Sequence, residues 1–175
     1  RAASALPGFL PAMELALVET NQTLRGIQAE KLTAYAPTWM DSLGELEPDA
    51  PVLVVGNEFL DVLPTAQFAV AKGGWFERLV SLNEAGDLAF VLGQPKTPVL
   101  PLLPAPDDGL FFEIMPSLPG FLKDLGSVFK AHSGAALFVD YAHEKAGTAW
   151  SLQAVKDHEK VEPLDAVGEA DLTTL

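Results

Sequence analysis

Three short apolar runs, each ending in polar residues, constrain this chain more than any other feature. Pro51-Val-Leu-Val-Val-Gly56 is almost wholly apolar and rich in β-branched residues, the pattern of a strand covered on both faces in a parallel sheet. Met13-Glu-Leu-Ala-Leu-Val-Glu19 and Ala135-Ala-Leu-Phe-Val-Asp140-Tyr141 have the same character. In open α/β sheets ligands bind beyond the carboxyl ends of the strands, so Glu19, Asn57 with Glu58, and Asp140 with Tyr141 are expected to face one crevice.

The segments between them carry other periods. Thr20-Asn-Gln offers capping chemistry for a helix over 23–34, where Leu24, Ile27, Gln28 and Lys31 alternate apolar and polar faces. A second helix is expected over 118–132, stopped by Ser133-Gly134. Pro37 to Leu43 reads as a short extended piece, and 57–70 as a short helix followed by an edge segment. Over 67–92, three short strands separated by turns predict an antiparallel flap beside the site. A proline-rich loop follows at about 94–109, and 152–160 reads as a short helical stretch. The expected class is α/β, a mostly parallel sheet with an inserted antiparallel flap, in one domain spanning 1–175.

Charge narrows the partners. The chain has 175 residues, with 24 acidic against 11 basic and a net charge of -13. That balance repels phosphate backbones, so nucleic acid is not an expected partner, whereas a basic protein segment is attracted. A solvated acidic surface that aids solubility is the plainer reading of the same charge. No cysteine is present, and His132, His143 and His158 are scattered. Thiolate zinc sites, disulfides and cysteine nucleophiles are therefore excluded, and no metal site is expected. No window reaches the ~18 uninterrupted apolar residues of a membrane span. The opening Arg1-Ala-Ala-Ser-Ala-Leu reads as the end of a helix, so the chain is expected to be cut at its front.

A carboxylate at a strand end, such as Glu19, can accept both hydroxyls of a ribose, or simply cap the next helix. Within Gly56-Asn-Glu-Phe-Leu-Asp-Val-Leu-Pro64, a helical turn would put Glu58 and Asp61 on one face. Paired there, they could hold a guanidinium and help remove its proton, or serve as ordinary acids at a helix start. Neither a nucleophile elbow nor a triphosphate-binding glycine loop is present.

Taken in order, several segments resemble the MidA family of S-adenosylmethionine-dependent methyltransferases, which includes a mitochondrial complex I assembly factor acting on arginine. They are Leu17 to Arg25, Trp39-Met-Asp-Ser-Leu43, Val54 to Pro64, Gly74 to Val80, Ala135 to Tyr141, Leu152-Gln-Ala-Val155 and Gly168-Glu-Ala-Asp-Leu-Thr173. The resemblance implies a class I, Rossmann-like fold and S-adenosylmethionine as cofactor. It implies that Glu19 binds the cofactor ribose, that Asp41 and Ser42 lie near the adenine, and that Asn57, Glu58 and Asp61 line the junction with the substrate. Pro64, Gln67, Asp140 and Tyr141 are then expected to bind the acceptor, an arginine on a respiratory complex I subunit. The N-terminal strand and glycine-rich loop of the family should precede Arg1, so this fragment alone is expected to be inactive. Ala142 stands where the family has glycine, and Ala149-Trp150-Ser151 replaces its Gly-Asp pattern. Those departures leave a non-catalytic scaffold or a small-molecule methyltransferase as alternatives. A bacterial cytoplasm is the expected compartment, a mitochondrial matrix the alternative, and the flap could mediate a homodimer.

Overall fold

A computed structural model describes residues 5–96, 109–141 and 150–174. In chain order it contains α1 (Phe9–Ala12), β1 (Ala16–Val18), α2 (Gln22–Leu32), β2 (Thr38–Met40), β3 (Val52–Asn57), β4 (Ala66–Ala71), β5 (Gly74–Leu82) and β6 (Leu88–Lys96). There follow β7 (Phe111–Ile114), α3 (Leu118–His132), β8 (Gly134–Val139), β9 (Gln153–Lys156), β10 (Glu159–Val161) and β11 (Asp171–Thr173). The chain divides into two compact units, Arg1–Leu53 with Gly120–Ala135, and Val54–Pro119 with Ala136–Leu175.

In the first unit β1 and β2 pair in parallel, Ala16 opposite Thr38 and Val18 opposite Met40, with α2 as the crossover between them. The α2 start is fixed by Asn21, whose side chain accepts from the amides of Thr23 (2.9 Å) and Leu24 (3.2 Å), satisfying two of the donors a helix N-terminus leaves open. After a 3-10 turn at Thr33–Tyr35, Ala36 takes a left-handed conformation and Pro37 prevents the helix from resuming. Helix α3 has the bounds its periodicity and stop signal predict. Ser133, at φ 52°, ends it while its amide still bonds Phe129 O. Met40, Leu43 and Val128 are the buried apolar residues of this unit.

Strands β3 and β8 form a ladder of their own. The Val52 amide bonds Ser133 O and the Glu58 amide bonds Val139 O, an advance of six residues on both sides, so the two run parallel. A side chain at Gly56 would come within 2.6 Å of the Phe138 ring, which explains a glycine in mid-strand. The expectation that β3 is covered on both faces is corrected: its burial alternates, with Leu53 65% and Val55 75% exposed. Leu137 and Val139 of β8 are likewise more than half exposed.

The second unit contains an antiparallel sheet in the order β6-β5-β4-β7 and a smaller one in the order β10-β9-β11. The flap expected over 67–92 is present as three strands, and the fourth, β7, joins through β4. Lys72 and Gly73, both at positive φ, turn β4 into β5, and Asp157 with His158 do the same between β9 and β10. Two consecutive left-handed residues match the twist of a two-residue hairpin. Trp75, Val70 and Ala154 are buried here.

Three local expectations are corrected. The stretch 152–160 is a hairpin rather than helix, and 58–65, after the end of β3, is an irregular turn rather than a short helix. Residues 94–96 belong to β6 instead of a loop. The rest of the expected proline-rich loop to 108, the departures at Ala142 and Ala149, and the helical tail at residues 1–4 fall outside the described residues. No described helix is long and apolar enough to cross a membrane.

Candidate functional site

Parallel pairing of β1 and β2 brings Glu19 and Asp41 to neighbouring carboxyl ends, since each is the residue that follows its strand. The Glu19 amide bonds Met40 O at 3.1 Å. Arg25, on the first turns of α2, ties both ends together: its Nε donates to Glu19 O at 2.5 Å and its Nη2 to Asp41 Oδ1 at 2.6 Å. The Glu19 carboxylate is half-buried and oriented from both sides, Oε1 accepting from the Asn21 amide at 2.8 Å and Oε2 from Gln28 Nε2 at 3.3 Å. Gln28 is itself held by Trp39, whose indole donates to Gln28 Oε1 at 2.9 Å. Asp41 and Ser42 are exposed, and their amides both donate to Glu45 Oε1.

In the second unit the residues after β3 form a turn anchored from far along the chain. Asp140 Oδ2 accepts from the amides of Phe59 (3.0 Å), Leu60 (2.7 Å) and, more weakly, Asp61 (3.4 Å), while Oδ1 accepts from the Tyr141 amide at 2.9 Å. A carboxylate accepting several amides is a strong anchor. On the other side, the Thr174 amide donates to Asp61 O at 2.9 Å. At the strand end, Glu58 is exposed and adopts φ 49°, a left-handed conformation that costs energy in a residue with a Cβ and recurs at functional turns. Asn57 is also exposed.

Asp61 is 4% exposed, and its Oδ1 has no hydrogen-bond partner among the described residues. Burial raises its pKa above the ordinary carboxylate value, and the charges of Asp140, Glu58 and Asp171 raise it further. The expectation that Glu58 and Asp61 share a helical face is therefore corrected. One is exposed and the other lies beneath the turn, because the amides of 59–61 bond to Asp140 instead of entering a helix.

The sign of the Asp61 effect is testable. A carboxyl whose folded pKa is raised contributes full stability below its unfolded value and loses it as pH rises through the folded value. Asp61→Asn is expected to raise the neutral-pH melting temperature by the equivalent of about 1 kcal/mol, the low end of the cost of an unpaired buried polar group. That advantage should vanish below about pH 4, where unfolded and folded Asp61 are both protonated. Thermal melts of the two proteins across pH 3–8 check it, and a gain that is the same at both ends refutes the assignment.

The remaining acceptor candidates fall differently. Pro64 and Tyr141 are exposed at the turn and after β8. Gln67 is buried, and both ends of its amide are engaged: Arg78 donates to Oε1 at 2.8 Å, and Nε2 donates to Glu113 Oε1 at 2.5 Å. Strand register makes this row, since Gln67 lies opposite Arg78 on one side and Glu113 on the other. The Arg78 guanidinium sits 3.5 Å from the centroid of Phe90 and 4.8 Å from that of Trp150, a cation–π arrangement. Its pKa is lowered by burial, with the Glu113 charge acting in the opposite sense.

Arg25, Gln28, Glu113, Asp171 and Thr174 were not singled out by sequence. Asp171 lies within the quoted Gly168 to Thr173 run, and Arg25 ends the quoted Leu17 to Arg25 segment, so motif position was the available signal. Glu113 carries no motif. Among the described residues no group of histidines and carboxylates could hold a metal ion.

The sequence profile of one protein family, described as "Putative S-adenosyl-L-methionine-dependent methyltransferase", matches residues 1–175. A Caenorhabditis elegans protein named as a mitochondrial protein arginine methyltransferase NDUFAF7 homolog is 32% identical over 140 residues, which cover 77% of this chain and 33% of that protein. The Homo sapiens mitochondrial protein arginine methyltransferase NDUFAF7 is 28% identical over 180 residues, 90% of this chain and 41% of that protein. The chain thus spans less than half the length of these two relatives. Two crystal structures from Burkholderia thailandensis are 26% identical: one of an uncharacterized protein superposes with a TM-score of 0.71, covering 99% of this chain and 50% of that one. The other, bound to S-adenosyl-homocysteine, superposes with a TM-score of 0.67 over 92% of this chain and 44% of that one. With the profile match running end to end, the chain belongs to the S-adenosyl-L-methionine-dependent methyltransferase family.

Proposed function

We propose that the whole protein transfers a methyl group from S-adenosylmethionine to a guanidinium nitrogen of an arginine in a protein substrate. The observation that carries the reading is the strand-end turn, where exposed Glu58 stands over buried Asp61 beside Asp140 and Asp171. The negative charges of Asp140, Glu58 and Asp171 raise the pKa of Asp61, and a bound cation would relieve that repulsion. Arginine as acceptor is supported by the names of the animal relatives. A subunit of respiratory complex I is the finer form of the same proposal. The likeness to two bacterial structures supports a bacterial cytoplasm as the compartment, and the mitochondrial names of the curated relatives support the matrix as the alternative.

The residues at the ends of β1 and β2 fit the nucleoside. Each Glu19 oxygen accepts one hydrogen bond and retains a lone pair, so the carboxylate can take two vicinal hydroxyls while Asn21 and Gln28 hold its plane. Asp41 uses Oδ1 for Arg25, leaving Oδ2 for an adenine amino group, with Ser42 beside it. When bound, S-adenosylmethionine supplies an electrophilic methyl on a sulfonium. Glu58 orients the acceptor guanidinium, and Asn57 lines the junction. Alignment and exclusion of water account for most of the acceleration in such a transfer. Glu58, exposed at the strand end, would accept the proton that leaves the guanidinium nitrogen as the methyl is transferred. Burial and the neighbouring carboxylates raise the Asp61 pKa, which favours its protonated form beneath that carboxylate. Asp140 is a positioning residue, fixing the turn through its amide contacts.

Calorimetric titration of S-adenosylmethionine into the full-length protein tests the reading. Glu19→Ala is expected to weaken binding about tenfold or more, the worth of hydrogen bonds to a charged group. Glu58→Gln should leave that affinity intact and lower kcat on an arginine peptide by about 100-fold, the loss of a positioned general base. A full-length protein that binds no S-adenosylmethionine would instead be a scaffold retaining the fold.

A further inference from the structure

Beside the acid turn, the second unit holds a cavity of about 230 Å³ lined by Thr65, Glu113, Ser151 and Thr174 on its polar part. Ile114, Met115 and Leu118 make the apolar part. The volume is below the roughly 300–1,000 Å³ of sites that enclose cofactors or drug-sized ligands, so its natural occupant is the size of a side chain. Among the described residues the lining contains one carboxylate and no cationic residue. Glu113 is held in place by Gln67 and by the Ser151 amide, which donates to Oε1 and Oε2 at 3.2 Å each. Because Oε2 receives only half of that shared bond, it retains acceptor capacity. Ser151 Oγ is buried and has no partner among the described residues. A buried hydroxyl left without a partner is costly, and so is a carboxylate with spare acceptor capacity out of water.

We propose that this cavity binds a basic side chain of the substrate segment, its aliphatic stem along Ile114, Met115 and Leu118 and its cationic head donating to Glu113 and Ser151. The proposal rests on the reading that the acceptor is a protein, and it adds a residue preference that the transfer chemistry itself does not require. The cavity adjoins the transfer turn through Thr174, which lines it, bonds Thr65 Oγ1 at 3.0 Å and donates to Asp61 O. A basic residue seated there would lie near an arginine held at Glu58. The net charge of -13 favours the approach of such a segment.

The test is site-resolved. Nα-acetyl-argininamide, titrated into the full-length protein, should move the amide resonances of Ser151 and Thr174 to saturation, while Nα-acetyl-norleucinamide, a similar stem without charge, should not. Glu113→Gln should weaken the response about tenfold or more, as expected for a lost charge-assisted hydrogen bond. Ser151→Ala removes a hydroxyl that bonds nothing among the described residues, so it should leave Tm unchanged or higher while weakening the response about threefold. A structural role for Ser151 would lower Tm instead. In turnover, both variants should raise KM for a peptide carrying a second basic residue and leave a peptide without one unaffected. Resonances that stay still, or that shift equally in the Glu113→Gln, Ser151→Ala double variant, overturn the subsite. Intact shifts with no methyl transfer to any arginine peptide support the cation site and overturn the functional reading.

Discussion

Gly134→Ala should cost about 4 kcal/mol or more and lower Tm by about 10 °C or more, in the tail of single-substitution effects. A Cβ at residue 134 would stand 2.0 Å from Val52 O and 2.9 Å from its carbonyl carbon, both backbone atoms that no rotamer change can move. The residue also sits at φ 150°, where side-chain-bearing residues are strained. Relief requires the start of β8 to shift against β3, breaking the bond from the Val52 amide to Ser133 O. Gly126→Ala is the internal control. No atom of the described residues lies within 4 Å of that added Cβ, and an alanine inside α3 should stabilise by about 0.5–1 kcal/mol. Thermal melts of both variants decide it, and a Gly134→Ala protein within 3 °C of the parent would show that β3 and β8 can part without loss.

Asp140→Ala should be the next most damaging, about 3 kcal/mol, with methyl transfer lost alongside. It removes the acceptor of the Phe59 and Leu60 amides, both part-buried, and of the weaker contact from Asp61. Hydrogen bonds to a charged group are worth about 1.5–3 kcal/mol each, and they do not add fully when shared by one oxygen. Asp140→Asn retains an acceptor and should recover about half of the loss. Because Asp140 also raises the Asp61 pKa, either change should shift the Asp61 titration downward, a readout by carboxyl NMR that a purely local unfolding would not produce in that form. A protein that keeps its Tm and its Asp61 titration after Asp140→Ala would remove the turn-anchoring role.

What was legible in the sequence was what is encoded locally. Helix α3 ends where Ser133-Gly134 ends it, α2 begins at its asparagine cap, and the hairpins of the flap follow their turn residues. The acid turn was misread as helix because its amides are satisfied by a carboxylate some 80 residues away, which no window of local periodicity can contain. The 152–160 hairpin was misread because its turn is Asp157-His158, two side-chain-bearing residues at positive φ in place of the usual asparagine or glycine signals. Glu19 was expected from strand-end logic and Asp41 from the family resemblance, and their neighbourhood follows from the parallel register. Gln67 shows the opposite case. It was expected to touch the acceptor, yet cross-strand register commits it to Arg78 and Glu113, and that depends on a strand, β7, that sequence reading did not find.

The anchoring of the Phe59–Asp61 turn also has a meaning in time. Its two ties reach 80 and 113 residues onward, to Asp140 and Thr174. At about 5–20 residues per second of synthesis, the second tie is made roughly 6–23 s after the turn itself leaves the ribosome. Contacts of such long sequence separation also close late in refolding, since loop entropy is spent before they form. The carboxylate turn is thus among the last features to assemble, and a nascent chain cannot present it in ordered form before the strand that carries Thr173 has docked.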